Sequence, residues 1–276
     1  EISRKRCTIK TCQMCQEYFF ERLISTLRYY HNSKILIDKV LTIIQADYGF
    51  KSLVDLVNPA VFDQIFSCPL EETFAFLNDF NFRGLRKRFY SMIYNILSQL
   101  NNGQHYFFIL LDFLDHRFSS ISVEHVSTDI EQQKALSFLA IDLTGIFNAI
   151  KAHYQFNPFF DWFILADNRA DIFICSFDSL CNDVDKDNHD KIHLISIILK
   201  MWKSVVLNIP PTRIVVEPNS SNGVYLFKRV ASSLIAFSSF VEKSNIKIDS
   251  PEDLDKFPYQ IFKGIRYYAM IIQSLL

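Results

Sequence analysis

Three carboxylates alternate along one short stretch, Asp183, Asp185 and Asp187, with Asp190 close behind. Oxygen ligands at every second position are how a calcium loop begins, with glycine sixth and a bidentate glutamate twelfth. Here those two places hold Asn188 and Leu194, so the sharp turn and the closing ligand are both missing. A solvated acidic loop between helices fits these residues better than a cation site. The same loop could serve as a negative patch that grips a basic partner. On that reading Asp183, Asp185, Asp187 and Asp190 are the candidate protein-binding residues, and Lys203 is a group that could neutralise them from within.

Other reactive side chains are placed less usefully. Cys12-Gln13-Met14-Cys15 has the spacing of half a zinc site, but no second pair follows and Cys7 is badly placed. Small side chains on a helix are the simpler reading. The remaining cysteines, Cys68, Cys175 and Cys181, are spread too unevenly for a disulfide framework, which suggests a reducing compartment. His31, His105, His116, His125, His153, His189 and His193 are scattered, and no Gly-x-Ser-x-Gly elbow is present. Asp115 and His116 are neighbours that point apart on a helix; His189 and His193 read as solvated beside Asp190. No catalytic residue, metal ligand or cofactor site is expected. A GTPase-activating role would need an exposed arginine finger, for which only Arg83 and Arg86 are sensible candidates.

The elements that would position these groups are helices. Of 276 residues, 49% are hydrophobic and only 6 are glycine, too few for the tight turns of sandwiches or for phosphate-binding loops. The 27 Phe then serve as filler between helices. A net charge of −1 leaves no electrostatic footprint for nucleic acid or anionic membrane. No apolar run approaches the length of a membrane span. The chain opens on Glu1, without a signal-peptide pattern, and is expected to be a segment of something longer.

Periodicity predicts a helix over 130–150, with Leu136, Leu139, Leu143, Ile146, Phe147 and Ile150 on one face, capped by Asp129 with Gln132 three residues on. A second covers 85–100, with Phe89, Met92, Ile93, Ile96, Leu97 and Leu100 as its stripe and Asn101-Asn102-Gly103 ending it. Others are expected at 14–30, 34–47, 50–57, 104–118, 156–166, 169–181, 190–207, 223–243 and 252–275, with Pro158 in a first turn. Trp162 and Trp202 read as core anchors. Asn222-Gly223 reads as a turn that starts a helix, and Gly264 as a point of close helix packing. About a dozen helices on short loops must pack antiparallel in sequence, and units of about 40–47 residues are the mark of HEAT or armadillo repeats. Polar flanks such as Gln132, Gln133 and Lys134 favour an open stack over a closed bundle. The expected fold is therefore all-α, one continuous HEAT/armadillo-like α-solenoid over 1–276, of roughly six helix pairs.

Several of these stretches resemble a known family. Ser220-Ser221-Asn222-Gly223-Val224-Tyr225-Leu226-Phe227-Lys228-Arg229 is the best match. Arg88-Phe89-Tyr90, Phe74-Ala75-Phe76-Leu77 and Lys263-Gly264-Ile265 follow, with Leu139, Asp142, Leu143 and Gly145 ahead of Phe160-Asp161-Trp162. In order and spacing the chain resembles the exportin seven, or Ran-binding protein sixteen, group of importin-β-like transport receptors, and less closely exportin four. It departs from the family pattern with Ser221 for proline, Tyr225 for an aliphatic residue and Lys228 for arginine. The resemblance implies a superhelix of HEAT repeats, central to late-central in the receptor. It further implies a shuttling monomer of nucleus and cytoplasm that binds Ran-GTP, protein cargo and Phe-Gly nucleoporins. A solenoid scaffold with no Ran connection is the alternative.

Overall fold

Asp129 caps a helix, as its place in the sequence suggests: its side-chain oxygen accepts the Glu131 N–H at 2.8 Å. Gln132 does not reach back to complete the box; its Oε1 accepts the Ser122 N–H at 2.8 Å instead. The computed structural model describes residues 18, 22–23, 25–30, 32–46, 83–97, 103–150, 158–164, 169–183, 188–208, 221–243, 264, 266–271 and 273. Among them no strand occurs. The helices are α1 (Lys34–Ala46), α2 (Arg83–Leu97), α3 (Gly103–Ser119), α4 (Ile130–Ile150), α5 (Pro158–Ile164), α6 (Arg169–Asp183), α7 (His189–Asn208) and α8 (Ser221–Lys243), with a 3-10 turn at Val123–His125. The chain is all-α, as its composition requires. The helix expected at 50–57 and most of that at 252–275 lie outside the described residues, while the described part of 14–30 is helical up to residue 29.

The chain divides into two compact units, Glu1–Phe113 and Leu114–Leu276, with the division inside α3. In the first unit α1 packs on α2. Ile37, Val40 and Leu41 meet a stripe in which Leu85, Phe89, Tyr90, Ile93, Tyr94 and Leu97 are all buried. Above this core Arg88 donates to Asp38 and, at 3.0 Å, to Thr42 one turn on. Gly103 does not end α2; it opens α3 against the Leu97 carbonyl, where an added Cβ would lie 1.8 Å from the oxygen. Only a residue without a side chain allows the two helix ends this approach.

Tyr94 sits wholly inside that core, edge-on to Phe107 with ring centroids 5.7 Å apart. Burial, and secondarily the nearby Tyr90, push its hydroxyl well above the usual tyrosine range. Above about pH 10 the unfolded chain therefore loses a proton that the folded chain keeps, so stability falls as pH rises through that region. Urea midpoints at pH 9 and pH 11 should show this decline, and a smaller decline in Tyr94→Phe; identical pH slopes for the two proteins would contradict it.

The second unit is built around α4. From Leu136 to Ile150 nearly every residue is buried, so the polar flank of Gln132, Gln133 and Lys134 belongs to its first two turns only. Its main partner is α7, two helices further along the chain than its sequence neighbour α5. The last turns of α4 and α7 lie together: Asn148 Nδ2 is 3.3 Å from Ser204 Oγ, and Asn208 Nδ2 is 3.5 Å from Asn148 Oδ1. Two helices packed along their length with the same ends together run parallel. The helix α6 packs on α8, and less extensively on α7. The largest pairings in this unit thus skip intervening helices, α4 with α7 and α6 with α8, rather than joining neighbours in sequence.

The short α5 is a wedge. It starts at Pro158, whose missing N–H is not needed in a first turn. Phe159, Phe160 and Phe163 are buried, and the Phe163 ring meets Phe118, Phe147, Phe173 and Trp202, from α3, α4, α6 and α7, with centroids 5.4–6.4 Å apart. Trp202 is the core anchor expected of it. Gly264 is buried in helix, and a Cβ there would come within 2.9 Å of Phe237 and 3.3 Å of Leu199, so close packing accounts for this glycine. Asn222 and Gly223 form no turn: α8 begins at Ser221 and takes both in helical conformation, which asks nothing special of glycine.

Candidate functional site

Of the acidic candidates, Asp183 is the last residue of α6 and Asp190 lies in the first turn of α7; both are exposed. Asp185 and Asp187 lie outside the described residues. Asn188 caps α7, accepting the Lys191 N–H at 3.1 Å, and Asp190 then sits at the end of the helix dipole that favours negative charge. Lys191 Nζ reaches Asp183 Oδ2 at 2.8 Å. The carboxylate is exposed while the Lys191 side chain is largely covered, so the acid is the member of the pair that a partner's cation can reach. Lys203, expected as the neutralising group, instead stands 5.5 Å over the Tyr267 ring.

The other candidates are more simply placed. Among the described residues no three His, Cys, Asp or Glu come together as a metal would need. Cys7, Cys12, Cys15 and Cys68 lie outside the described residues. Cys181 is buried and its thiol is pushed far up, first by burial and then by the charge of Asp178. Alkylation of the native protein should therefore spare Cys181 and reach it only in denaturant, whereas the half-buried Cys175 is modified before it. Peptide mapping after iodoacetamide at pH 8 decides this, and early loss of Cys181 would refute the buried placement. Arg86 cannot be an arginine finger: it lies within α2, not on a loop, and has no exposed surface. Arg83 opens the same helix.

One serine–histidine contact does occur, Ser122 Oγ to His125 Nδ1 at 2.7 Å. It spans a single 3-10 turn, and among the described residues no carboxylate stands behind the imidazole, as nucleophilic catalysis would need. His105, His116 and His189 are exposed, while His193 is half-buried rather than solvated.

The polar constellation that sequence reasoning missed joins α3, α5 and α6. Asp115 accepts the Trp162 indole N–H at 3.1 Å on one oxygen and Arg169 Nε at 2.5 Å on the other. Arg169 Nη1 also donates to the Trp162 carbonyl at 2.8 Å, and its guanidinium lies 4.5 Å over the indole. Phe159 stacks on Trp162 at 5.2 Å and Phe118 meets it edge-on at 5.7 Å. Trp162 is thus half-buried with its polar edge satisfied, unlike the fully sunk Trp202. Both oxygens of Asp115 are engaged, so the cluster holds three helices in register. A second polar link, Arg117 Nη1 to Asp142 Oδ2 at 3.1 Å, ties α3 to α4. The signal in the sequence was the bare demand of an indole N–H for an acceptor; nothing said which carboxylate would answer.

The described residues thus offer helix surfaces and an acidic junction between α6 and α7. Comparison with protein-family models, with curated proteins and with solved structures finds no match for the chain.

Proposed function

We propose that the chain is a non-enzymatic protein-binding segment, an α-solenoid of helix pairs, and that it belongs to a nuclear transport receptor of the exportin seven type. The observation that carries the solenoid reading is the parallel packing of α4 on α7, with α6 on α8 as a second contact between helices that are not neighbours in sequence. Stacked repeats place equivalent helices of successive units side by side in this way. The transport reading rests on the ordered sequence resemblance. A curved inner surface would take Ran-GTP and cargo, and grooves between helices would take Phe-Gly repeats of pore proteins. Ran-GTP and cargo would favour the same curvature, so each would raise the other's affinity.

Immobilised Ran loaded with GTP should retain the full-length receptor, and Ran loaded with GDP should not. Equal retention, or none, would remove the transport reading and leave a scaffold of other purpose. The acidic junction has its own test. Replacing Asp183, Asp185 and Asp187 with Asn should weaken a basic partner about tenfold at low salt and less at high salt. Unchanged affinity at low salt would end the assignment of Asp183, Asp185, Asp187 and Asp190 as binding residues.

A further inference from the structure

The elbow between helical residues 25–29 and α1 presents apolar surface to solvent. Tyr29 and Tyr30 end the first segment at 72% and 56% exposure, and Ile35 and Leu36 open α1 at 70% and 38%. The turn between them is well formed: Ser33 N–H donates to the Tyr30 carbonyl at 2.9 Å and Ile37 N–H to the Ser33 carbonyl at 3.0 Å. Four large apolar side chains are therefore held outward by hydrogen-bonded backbone. About three turns earlier Tyr18 is 57% exposed as well, with the Arg22 guanidinium 4.9 Å over its ring. A contiguous apolar patch with a polar rim is the usual mark of an interaction site.

The rim is basic. Arg22, Lys34 and Lys39 are exposed around the patch, and Arg28 lies 5.9 Å over the Tyr29 ring. The one acid described within it, Asp38, is engaged by Arg88. The sequence carries the same asymmetry: residues 1–39 hold eight Lys or Arg against four Asp or Glu, net +4, which leaves −5 for the rest of the chain. Such a face complements an acidic partner. The aliphatic Ile35 and Leu36 have no role against a phosphate backbone, which disfavours nucleic acid. The negative remainder of the chain opposes adsorption on an anionic bilayer.

We infer that the Tyr29–Leu36 elbow docks an acidic protein segment bearing aromatic or aliphatic anchors, with Tyr29, Tyr30, Ile35 and Leu36 taking the anchors and Arg22, Lys34 and Lys39 the carboxylates. This surface belongs to the first unit and the acidic junction to the second, and its occupant is independent of whether the receptor takes Ran. The probe is a fluorescein-labelled peptide of Glu and Asp carrying two Leu-Phe pairs, titrated with the full chain and followed by anisotropy. Saturable binding is expected, weakened by salt. Ile35→Ser and Lys34→Glu should each weaken it about tenfold without shifting the melting temperature, because both positions are exposed. A peptide with the Leu-Phe pairs replaced by Ser should lose binding to the same degree. No saturable binding at about 1 mM peptide would overturn the inference. So would a loss with Lys34→Glu that Ile35→Ser does not share, since that describes charge attraction alone. Equal or tighter binding of a single-stranded oligonucleotide, or of phosphatidylserine vesicles, with the same response to both variants would assign the elbow to that ligand instead.

Discussion

Phe163→Ala should cost about 3–5 kcal/mol, the largest loss expected from any single truncation in the second unit. The ring is fully buried and meets aromatic partners from four helices, so its removal opens a void that no one helix can close by shifting. Edge-on and tilted ring pairs add to the area term. The readout is clean, because both tryptophans, Trp162 and Trp202, lie in that unit and Trp202 touches Phe163 directly. Urea unfolding followed by tryptophan fluorescence should show a midpoint moved far to lower denaturant. Phe163→Leu keeps most of the volume and should cost about 1.5 kcal/mol or less. A loss below about 1 kcal/mol for the alanine variant would mean that α5 is not a wedge.

The second large effect is electrostatic. Asp142 has no exposed side-chain surface, and Arg117, only 17% exposed, is its cation at 3.1 Å. Arg117→Ala strips that charge from a carboxylate in the interior, which should cost about 3–5 kcal/mol. The double variant Arg117→Met with Asp142→Leu removes both charges and keeps the bulk, so it should recover much of the loss. Fluorescence-monitored urea curves of both variants decide the matter. A double variant as unstable as the single one would show that shape, and not charge, is what the pair contributes.

Helix positions were legible in the sequence where caps and periodicity agree. The helix over 130–150 has its expected ends because Asp129 leaves no alternative start and its apolar face runs unbroken to Ile150. Others ended within a few residues of expectation, α1 at Ala46 and α6 at Asp183. Periodicity also contained a warning that went unread at Arg86. It sits three and four residues before Phe89 and Tyr90, on the face that goes inside, although four of the six residues in Arg83-Gly84-Leu85-Arg86-Lys87-Arg88 are basic. Asp142 lies on the inner face with Leu139 and Ile146 for the same reason. What a helical period cannot state is which helix covers a given face. The packing of α4 on α7 joins side chains far apart in sequence, as where Asn148 meets Ser204 and Asn208. The acidic stretch was legible as a junction between helices, but the lysine that answers Asp183 is its near neighbour Lys191.

That distant partnership has a consequence for how the chain is made. Asn148 and Ser204 are 56 residues apart, so a ribosome adding about 5–20 residues per second finishes α4 roughly 3–11 seconds before its companion emerges. During that interval a long, greasy rod stands bare. Nascent chains stalled inside the segment that follows α4 should be the ones that stick to holdases and to each other, and release of the next turn of synthesis should free them.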